Sequence, residues 1–235
     1  MNSVLVFDVF GDYAQFKKYF TNMSPLTFDI PSRTALAGII GAIGGVPKEK
    51  NPEFFSKDDC FLSLQILSDL RKTKISLNYL KTVSKTEISR FKNHKPTNVE
   101  FLKNPRYRIF FHHDNQEFFD KFCTLVKEHK AIYTPALGIA GCLANYELVG
   151  IWKIEAISSD KFIEVSSIVL EENIEDIEFN AEVKIKRTTL PLEMKNDREV
   201  TKYGKILYEA SGKRMSLKIK EAFCLLNTSE YICEF

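Results

Sequence analysis

Cysteine is sparse in this sequence and never paired. Cys60, Cys123, Cys142, Cys224 and Cys233 are scattered, odd in number and nowhere spaced as C-x-x-C. A zinc knuckle or finger needs close paired ligands, so that class is excluded. A disulfide framework is not expected in a 235-residue chain with no secretion signal. Buried free thiols are the expectation. Long apolar runs are also missing. The longest uncharged stretches, residues 34–47 and 131–146, are broken by Gly and Pro. Both are shorter than the roughly 18 apolar residues a membrane span needs. The N-terminus has neither a basic region nor a small-residue cleavage site, so a cytoplasmic protein without a membrane anchor is expected. Net charge is nearly absent: 33 Lys and Arg against 31 Asp and Glu leave +2, which excludes binding by bulk polycation charge. No G-x-G-x-x-G, phosphate-loop or G-x-S-x-G pattern occurs, and no spaced carboxylate cluster suggests a metal nuclease. No cofactor and no metal are expected.

What remains is an ordinary globular composition, 44% hydrophobic and 27% charged. Val4-Leu5-Val6-Phe7-Asp8-Val9-Phe10 reads as a buried strand stopped by Gly11. Ile30-Pro31-Ser32-Arg33 reads as a helix start, with a helix over residues 34–43. Gly38 and Gly41 lie inside that helix and Gly44-Gly45 end it. Two interior glycines cost about 1 kcal/mol each against alanine, and close packing on a sheet is the plain compensation. Strands follow over residues 60–67 and 106–111. A helix over 115–130 has Phe118, Phe119, Phe122, Cys123, Leu125 and Val126 on its apolar face. A Gly/Pro loop at 133–141 precedes a strand over 147–156. The order β-α-β, insertion, β-α-β is that of a ferredoxin-like, RNA-recognition-like α+β domain over residues 1–158. Residues 159–235 read as a smaller β-rich unit, packed on the first or continuous with it. Its strands fall at 162–169, 182–187 and 214–224, and an acidic run, 171–176, lies between strands.

Charge is segregated along the chain. Residues 71–108 carry eleven Lys and Arg against Glu87 and Glu100, a net +9 that leaves about −7 for the remainder. Such segregation suits a polyanion footprint, and a solvated basic loop is the alternative.

Three segments then point to a family. Residues 10–16 (FGDYAQF) with 25–38 (PLTFDIPSRTALAG), residues 102–109 (LKNPRYRI) and residues 133–138 (YTPALG) occur in one order over most of the first 150 residues. This combination resembles the CRISPR-associated Cas-five family, with type I-B members nearest in flavour. The resemblance implies a subunit that caps one end of Cascade, the type I effector complex, in antiviral defence. It would hold the repeat-derived 5′ handle of the CRISPR RNA. Its other partners would be the neighbouring backbone subunit (Cas-seven family) and the large subunit (Cas-eight family), with target DNA met through the complex. The basic segment sits where such proteins carry a projecting hairpin, the thumb, here about residues 71–105. Guide pairing supplies sequence specificity in such effectors, while protein holds backbone and shape.

Residue chemistry gives candidate RNA contacts. Phosphates favour Lys and Arg, and unpaired bases favour aromatic faces. Tyr13, Phe16, Lys17 and Lys18 mix these types after the first strand. Lys81, Arg90, Lys92, His94 and Lys95 crowd the thumb segment, and Arg106 and Arg108 follow it. Arg33 stands at a helix N-terminus, which favours anions. Gly138 and Gly141 would let backbone N–H groups approach a phosphate. The structural alternatives are that Tyr13 and Phe16 pack in the core, that the two glycines only close a turn, and that each single Lys is a solvated surface charge.

A catalytic role is the competing expectation, because some family members process precursor RNA without metal. Tyr, Lys and His assist attack of a 2′-hydroxyl on the adjacent phosphate. The processing members carry Lys followed by His. Here His94-Lys95 and His129-Lys130 run the other way, so no catalytic residue is assigned. His112-His113 follows a strand, where alternate side chains diverge, and reads as a strand-end polar cluster rather than a metal site. A general RNA- or protein-binding module is the third possibility. It would not prefer the repeat-derived end.

Overall fold

The computed structural model describes residues 3–21, 23–80 and 94–235. The architecture is α+β, mostly sheet with few helices. Strand β1, Ser3–Phe10, pairs antiparallel with β6, Arg106–His113, on one side and with β7, Asn145–Val165, on the other. Strand β3, Cys60–Ile66, pairs antiparallel with the far edge of β6. On β1, Leu5, Phe7 and Val9 enter the main core with Leu62, Leu64, Ile109 and Phe111. Val4 and Val6 instead enter a second cluster with Phe61, Phe110, Ile154, Leu225 and Ile232. Both faces are therefore covered, which is why β1 reads as an unbroken apolar run rather than an alternation.

Helix α1, Arg33–Gly44, and helix α3, Gln116–Lys127, cover the first face. Ser32 caps α1 by accepting from the Ala35 N–H, and Gly45 in the left-handed region (φ 85°) ends it. Asn115 caps α3 in the same way through the Phe118 N–H. Phe122 meets Phe7 at 5.6 Å and Phe111 at 5.0 Å, both edge-on, which fixes α3 on the sheet. Gly41 and Gly44 of α1 are explained by neighbouring helices rather than by the sheet, and the expected close packing fails at Gly38. A Cβ on Gly44 would meet the Phe118 ring at 2.6 Å, and one on Gly41 would strike Asn51 of the short helix α2, Asn51–Phe54. Gly38 has open space around it.

Between β3 and β6 the chain leaves the main sheet. Strands β4, Arg71–Leu80, and β5, His94–Lys103, form a hairpin that joins the short β2, Tyr13–Ala14, in a separate three-stranded sheet. This hairpin occupies the expected insertion. Beyond β7 come β8, Val169–Leu170, and β9, Ile174–Ile177. The hairpin of β10, Ile185–Met194, and β11, Val200–Glu209, follows, then β12, Met215–Leu225, and β13, Tyr231–Ile232. The first sheet continues through β7 into this part, with order β3-β6-β1-β7-β13-β12-β9, while β10-β11-β8 form a third sheet. The division expected at residue 158 falls inside β7, so the β-rich part is continuous with the first. Strand β9 also corrects the reading of 171–176 as a mere connection: Ile174 and Ile177 pair across to β12.

Asp29, in the loop before α1, ties these parts together. Its carboxylate lies 2.6 Å from Lys72 Nζ on β4, 2.8 Å from the Tyr208 hydroxyl on β11 and 3.1 Å from Lys186 Nζ on β10. Its carbonyl accepts from Tyr107 of β6 at 2.8 Å. Burial works to raise the Asp29 carboxyl. The hydrogen bonds from Lys72 and Tyr208, the Lys72 charge and the Lys186 bond outweigh it and hold the group below its ordinary value. Among the described residues, no helix is long and apolar enough to cross a membrane.

Two predictions follow from the packing. Gly44→Ala is expected to destabilise by about 1–3 kcal/mol through overpacking against Phe118, while Gly38→Ala stabilises by up to ~1 kcal/mol; paired urea unfolding curves check the opposite signs. Asp29→Asn is expected to lose about 2 kcal/mol at neutral pH, the scale of a lost charge-assisted hydrogen bond. A depressed native carboxyl contributes stability above its unfolded value near pH 4 and loses it as pH falls through the native value. Unfolding at pH 7 and pH 3 should therefore show the wild-type advantage shrinking with acid.

Candidate nucleic-acid interface

A cleft of about 540 Å³ lies between the first turns of α1, the segment from Lys48 to Ser56, and the tip of the β10–β11 hairpin. Lys17 and Gly138 also line it. Four cations line it: Lys17, Lys48 and Arg198, exposed and drawn from three distant segments, and the buried Arg33. Glu193 is the only acid on its lining among the described residues. Thr34, Asn51 and Asn196 add neutral hydrogen-bonding groups. The groove is open, and its wall is partly apolar through Ala37, Pro52, Phe55, Leu192 and Met194. Its exposed cations with one acid suit a polyanion backbone, because each ammonium or guanidinium can replace a counterion at a phosphate.

Local structure builds this groove. The bridge between Lys17 and Thr27 fixes the chain leading to it. Gly138 adopts φ 97°, and a Cβ there would strike the Gln15 carbonyl. Gln15 N–H donates to the Leu137 carbonyl at 2.9 Å, so two backbones meet where only glycine fits. Gly138 therefore both closes a turn and borders the cleft. Gly141 is exposed in open space and lines no part of this cleft.

Several expected contacts are engaged within the fold, Arg33 in the wall of the cleft itself. Arg33 is 3% exposed. Its guanidinium donates to three backbone carbonyls, Cys60 at 2.6 Å, Phe235 at 2.7 Å and Ser56 at 3.3 Å. It tethers the start of α1 to β3 and is a structural residue rather than an anion site. Phe16 is buried against Tyr107 in the main core, which corrects its reading as a stacking face. Tyr13 is 38% exposed and packs edge-on against Phe101 of the β5 strand. Lys18 lies over the Phe20 and Phe28 rings at 5.8 and 5.6 Å.

Arg106 and Arg108 are held by Asp8, which is 2% exposed. Arg108 Nε lies 2.8 Å from Asp8 Oδ1, and Arg106 Nη2 lies 2.9 Å from Oδ2. Arg106 also pairs with Glu147 and sits over the Phe10 ring at 4.9 Å. The hydrogen bond to Asp8 is the largest influence raising its pKa. These two charges are thus matched by two carboxylates. His94 and Lys95 are exposed at the start of β5. Lys81, Arg90 and Lys92 lie outside the described residues.

His112 and His113 form a strand-end cluster in the core margin. Asn115 N–H donates to His113 Nδ1 at 2.9 Å, so His113 Nε2 carries the proton that it shares with the Phe54 carbonyl at 2.8 Å. His113 also stacks on Phe54 at 4.5 Å. Burial is the largest cause that lowers the His112 pKa. His129 stacks on Tyr146 at 4.8 Å. Among the described residues, no three His, Cys, Asp or Glu side chains gather as a metal site requires. The cysteines are free, and burial above all pushes the Cys60 and Cys233 thiols up to about 12.

Fold and groove together define an α+β, sheet-dominated protein with an inserted hairpin and a cationic cleft. A family model described as CRISPR-associated protein (Cas_Cas5) matches residues 4–208, and the chain belongs to that family. Two solved structures share its fold. One is a CRISPR protein from Archaeoglobus fulgidus, 14% identical, with 99% of this chain and 98% of that one covered and a TM-score of 0.55. The other is a chain of a CRISPR RNA-guided surveillance complex, 9% identical, with 91% of each chain covered and a TM-score of 0.55. No curated protein sequence matches the chain.

Lys48 and Arg198 escaped sequence reading because each stands in a stretch that mixes both signs of charge. Arg198 has one local signal, a left-handed backbone (φ 70°) at the hairpin tip. Arg33→Met is expected to lower stability by about 2–4 kcal/mol through three unsatisfied carbonyls, leaving the salt dependence of RNA binding unchanged. Urea unfolding beside a salt titration of binding checks both halves.

Proposed function

We propose that this chain is a non-catalytic subunit of a type I CRISPR effector complex that holds the repeat-derived 5′ handle of the CRISPR RNA. The observation that carries the reading is the cleft of Lys17, Lys48 and Arg198 in a chain of the CRISPR-associated Cas5 family. Phosphates would lie in that cleft, with the exposed Lys74, Lys95 and Lys103 of the β4–β5 hairpin reaching further RNA or the neighbouring backbone subunit as the thumb. The large subunit and target DNA would be met within the complex. The antiparallel order β3-β6-β1-β7, with α1 and α3 on one face, supports a ferredoxin-like reading of the first part.

The non-catalytic reading is supported by the surroundings of the His112-His113 pair, whereas His94 and His129 are exposed. His113 has both ring nitrogens engaged by backbone, and His112 is buried. A general base must reach its substrate's proton, and neither ring is presented to the cleft.

Repeat RNA incubated with the protein in excess EDTA is expected to stay intact on a denaturing gel, while a native gel shows binding of the mature handle. A discrete cut within the repeat would replace this reading with that of a processing ribonuclease. Charge reversal of Lys17, Lys48 and Arg198 together is expected to lower the slope of log K against log salt by about 2, since each phosphate contact on a single strand contributes roughly 0.7. An unchanged slope would remove the cleft from the RNA path.

A further inference from the structure

Tyr19, Phe20 and Tyr203 form a ring cluster open to solvent. Tyr19 meets Phe20 at 5.3 Å and 89°, and Tyr203 of β11 at 5.5 Å. The buried Phe28, 6.2 Å from Tyr19, anchors the group to the core. Tyr19, Phe20 and Tyr203 are 56%, 63% and 46% exposed. A single exposed apolar side chain is ordinary, but three adjoining open rings mark a contact surface.

Charge and position decide what the surface fits. Lys18 lies against the Phe20 and Phe28 rings. Lys202 and Lys205 flank Tyr203 in sequence, and their carboxylate neighbours, Glu193 at 4.0 Å and Glu171 at 3.8 Å, stand at the outer limit of ion pairing. Two walls of the cleft adjoin the cluster along the chain. Lys17 lines the cleft two residues before Tyr19, and Tyr203 pairs with Pro191, the neighbour of the cleft residues Leu192 and Glu193. An apolar protein surface placed here would strip water from several lysines without matching them. A single nucleic-acid strand uses both features, with a base on a ring and phosphates beside the ammonium groups.

We propose that Tyr19, Phe20 and Tyr203 are a stacking platform for one unpaired nucleobase of the RNA whose phosphates occupy the cleft of Lys17, Lys48 and Arg198. The inference rests on the RNA-binding role proposed above. The perpendicular Tyr19–Phe20 pair forms a corner in which a base stacks on one ring with its edge against the other. Stacking accepts any base, so the platform sets register and affinity rather than sequence.

The test uses handle RNAs carrying 2-aminopurine, or an abasic site, at each position in turn, titrated with the full chain at fixed salt. One position is expected to lose fluorescence on binding. An abasic site there should weaken binding about tenfold, the scale of one stacked base. The double variant Phe20→Leu with Tyr203→Leu should show the same loss with no further effect of the abasic site, while Tyr203→Phe keeps the quenching. The abasic series uses wild-type protein, so the test does not depend on the variant's folding. Tight binding with no position responding would overturn the platform and leave the cleft standing. No binding by any RNA would overturn the RNA-binding reading, and the platform with it. Loss of association with another effector subunit, with RNA binding unchanged, would make the cluster a protein contact and also overturn the proposal.

Discussion

The Asp29 carboxylate is the point on which the arrangement of the parts depends. The main sheet and its two helices are held by apolar burial, which is strong but undirected. Burial alone does not say where the β4–β5 hairpin or the β10–β11 hairpin should sit. Asp29 does, because one largely buried carboxylate receives Lys72 from the first and Tyr208 and Lys186 from the second. The ordering is reinforced by Lys72, which also donates to the Thr27 carbonyl and pairs with Glu100. A charge placed this deep is tolerated only when several donors meet it. Those donors come from two different sheets, Lys72 from the β2-β5-β4 sheet and Tyr208 and Lys186 from the β10-β11-β8 sheet. The tip of the β10–β11 hairpin is one wall of the cationic cleft, so the geometry of the cleft follows from this tie.

Part of the charge that dominates the sequence is neutralised within the fold. Three of the eleven bases of the segment at 71–108 are matched by sequence-distant acids in the fold. Lys72 is consumed by Asp29 and Glu100, and Arg106 and Arg108 by Asp8 and Glu147. Counting charges along the chain treats these as a polyanion footprint because the acids that meet them lie far away in sequence. The cleft shows the opposite effect. Lys17, Lys48 and Arg198 lie outside the basic segment, yet the fold brings them to one groove with a single acid among its described lining.

Much of the first 150 residues was legible from the sequence. The run Val4–Phe10, the Ser32 cap and the phenylalanine face of α3 each carry a local signal, and the strands and helices stand close to where those signals put them. Of the two interior glycines of α1, Gly41 is closely packed, against Asn51 of a helix rather than a strand, while Gly38 has open space and does not meet the expectation; Phe118 packs on the terminal Gly44. Strand β11 was missed because Lys202, Tyr203, Gly204 and Lys205 interrupt any apolar alternation. Its pairing is set by β10, not by its own propensity. Arg33 misled for a related reason: a helix start is a fair anion site in isolation, and only the tertiary fold delivers three carbonyls to its guanidinium.

The central claim is that the chain, a member of the CRISPR-associated Cas5 family, meets RNA at the cleft between α1 and the β10–β11 hairpin. The most direct measurement is ultraviolet cross-linking of handle RNA to the protein, with the attached peptides identified by mass spectrometry. The account predicts cross-links in the peptides that carry Lys17, Lys48 and Arg198. Cross-links confined to the peptides of Arg106, Arg108 and Glu147 at the far end of the main sheet would contradict it.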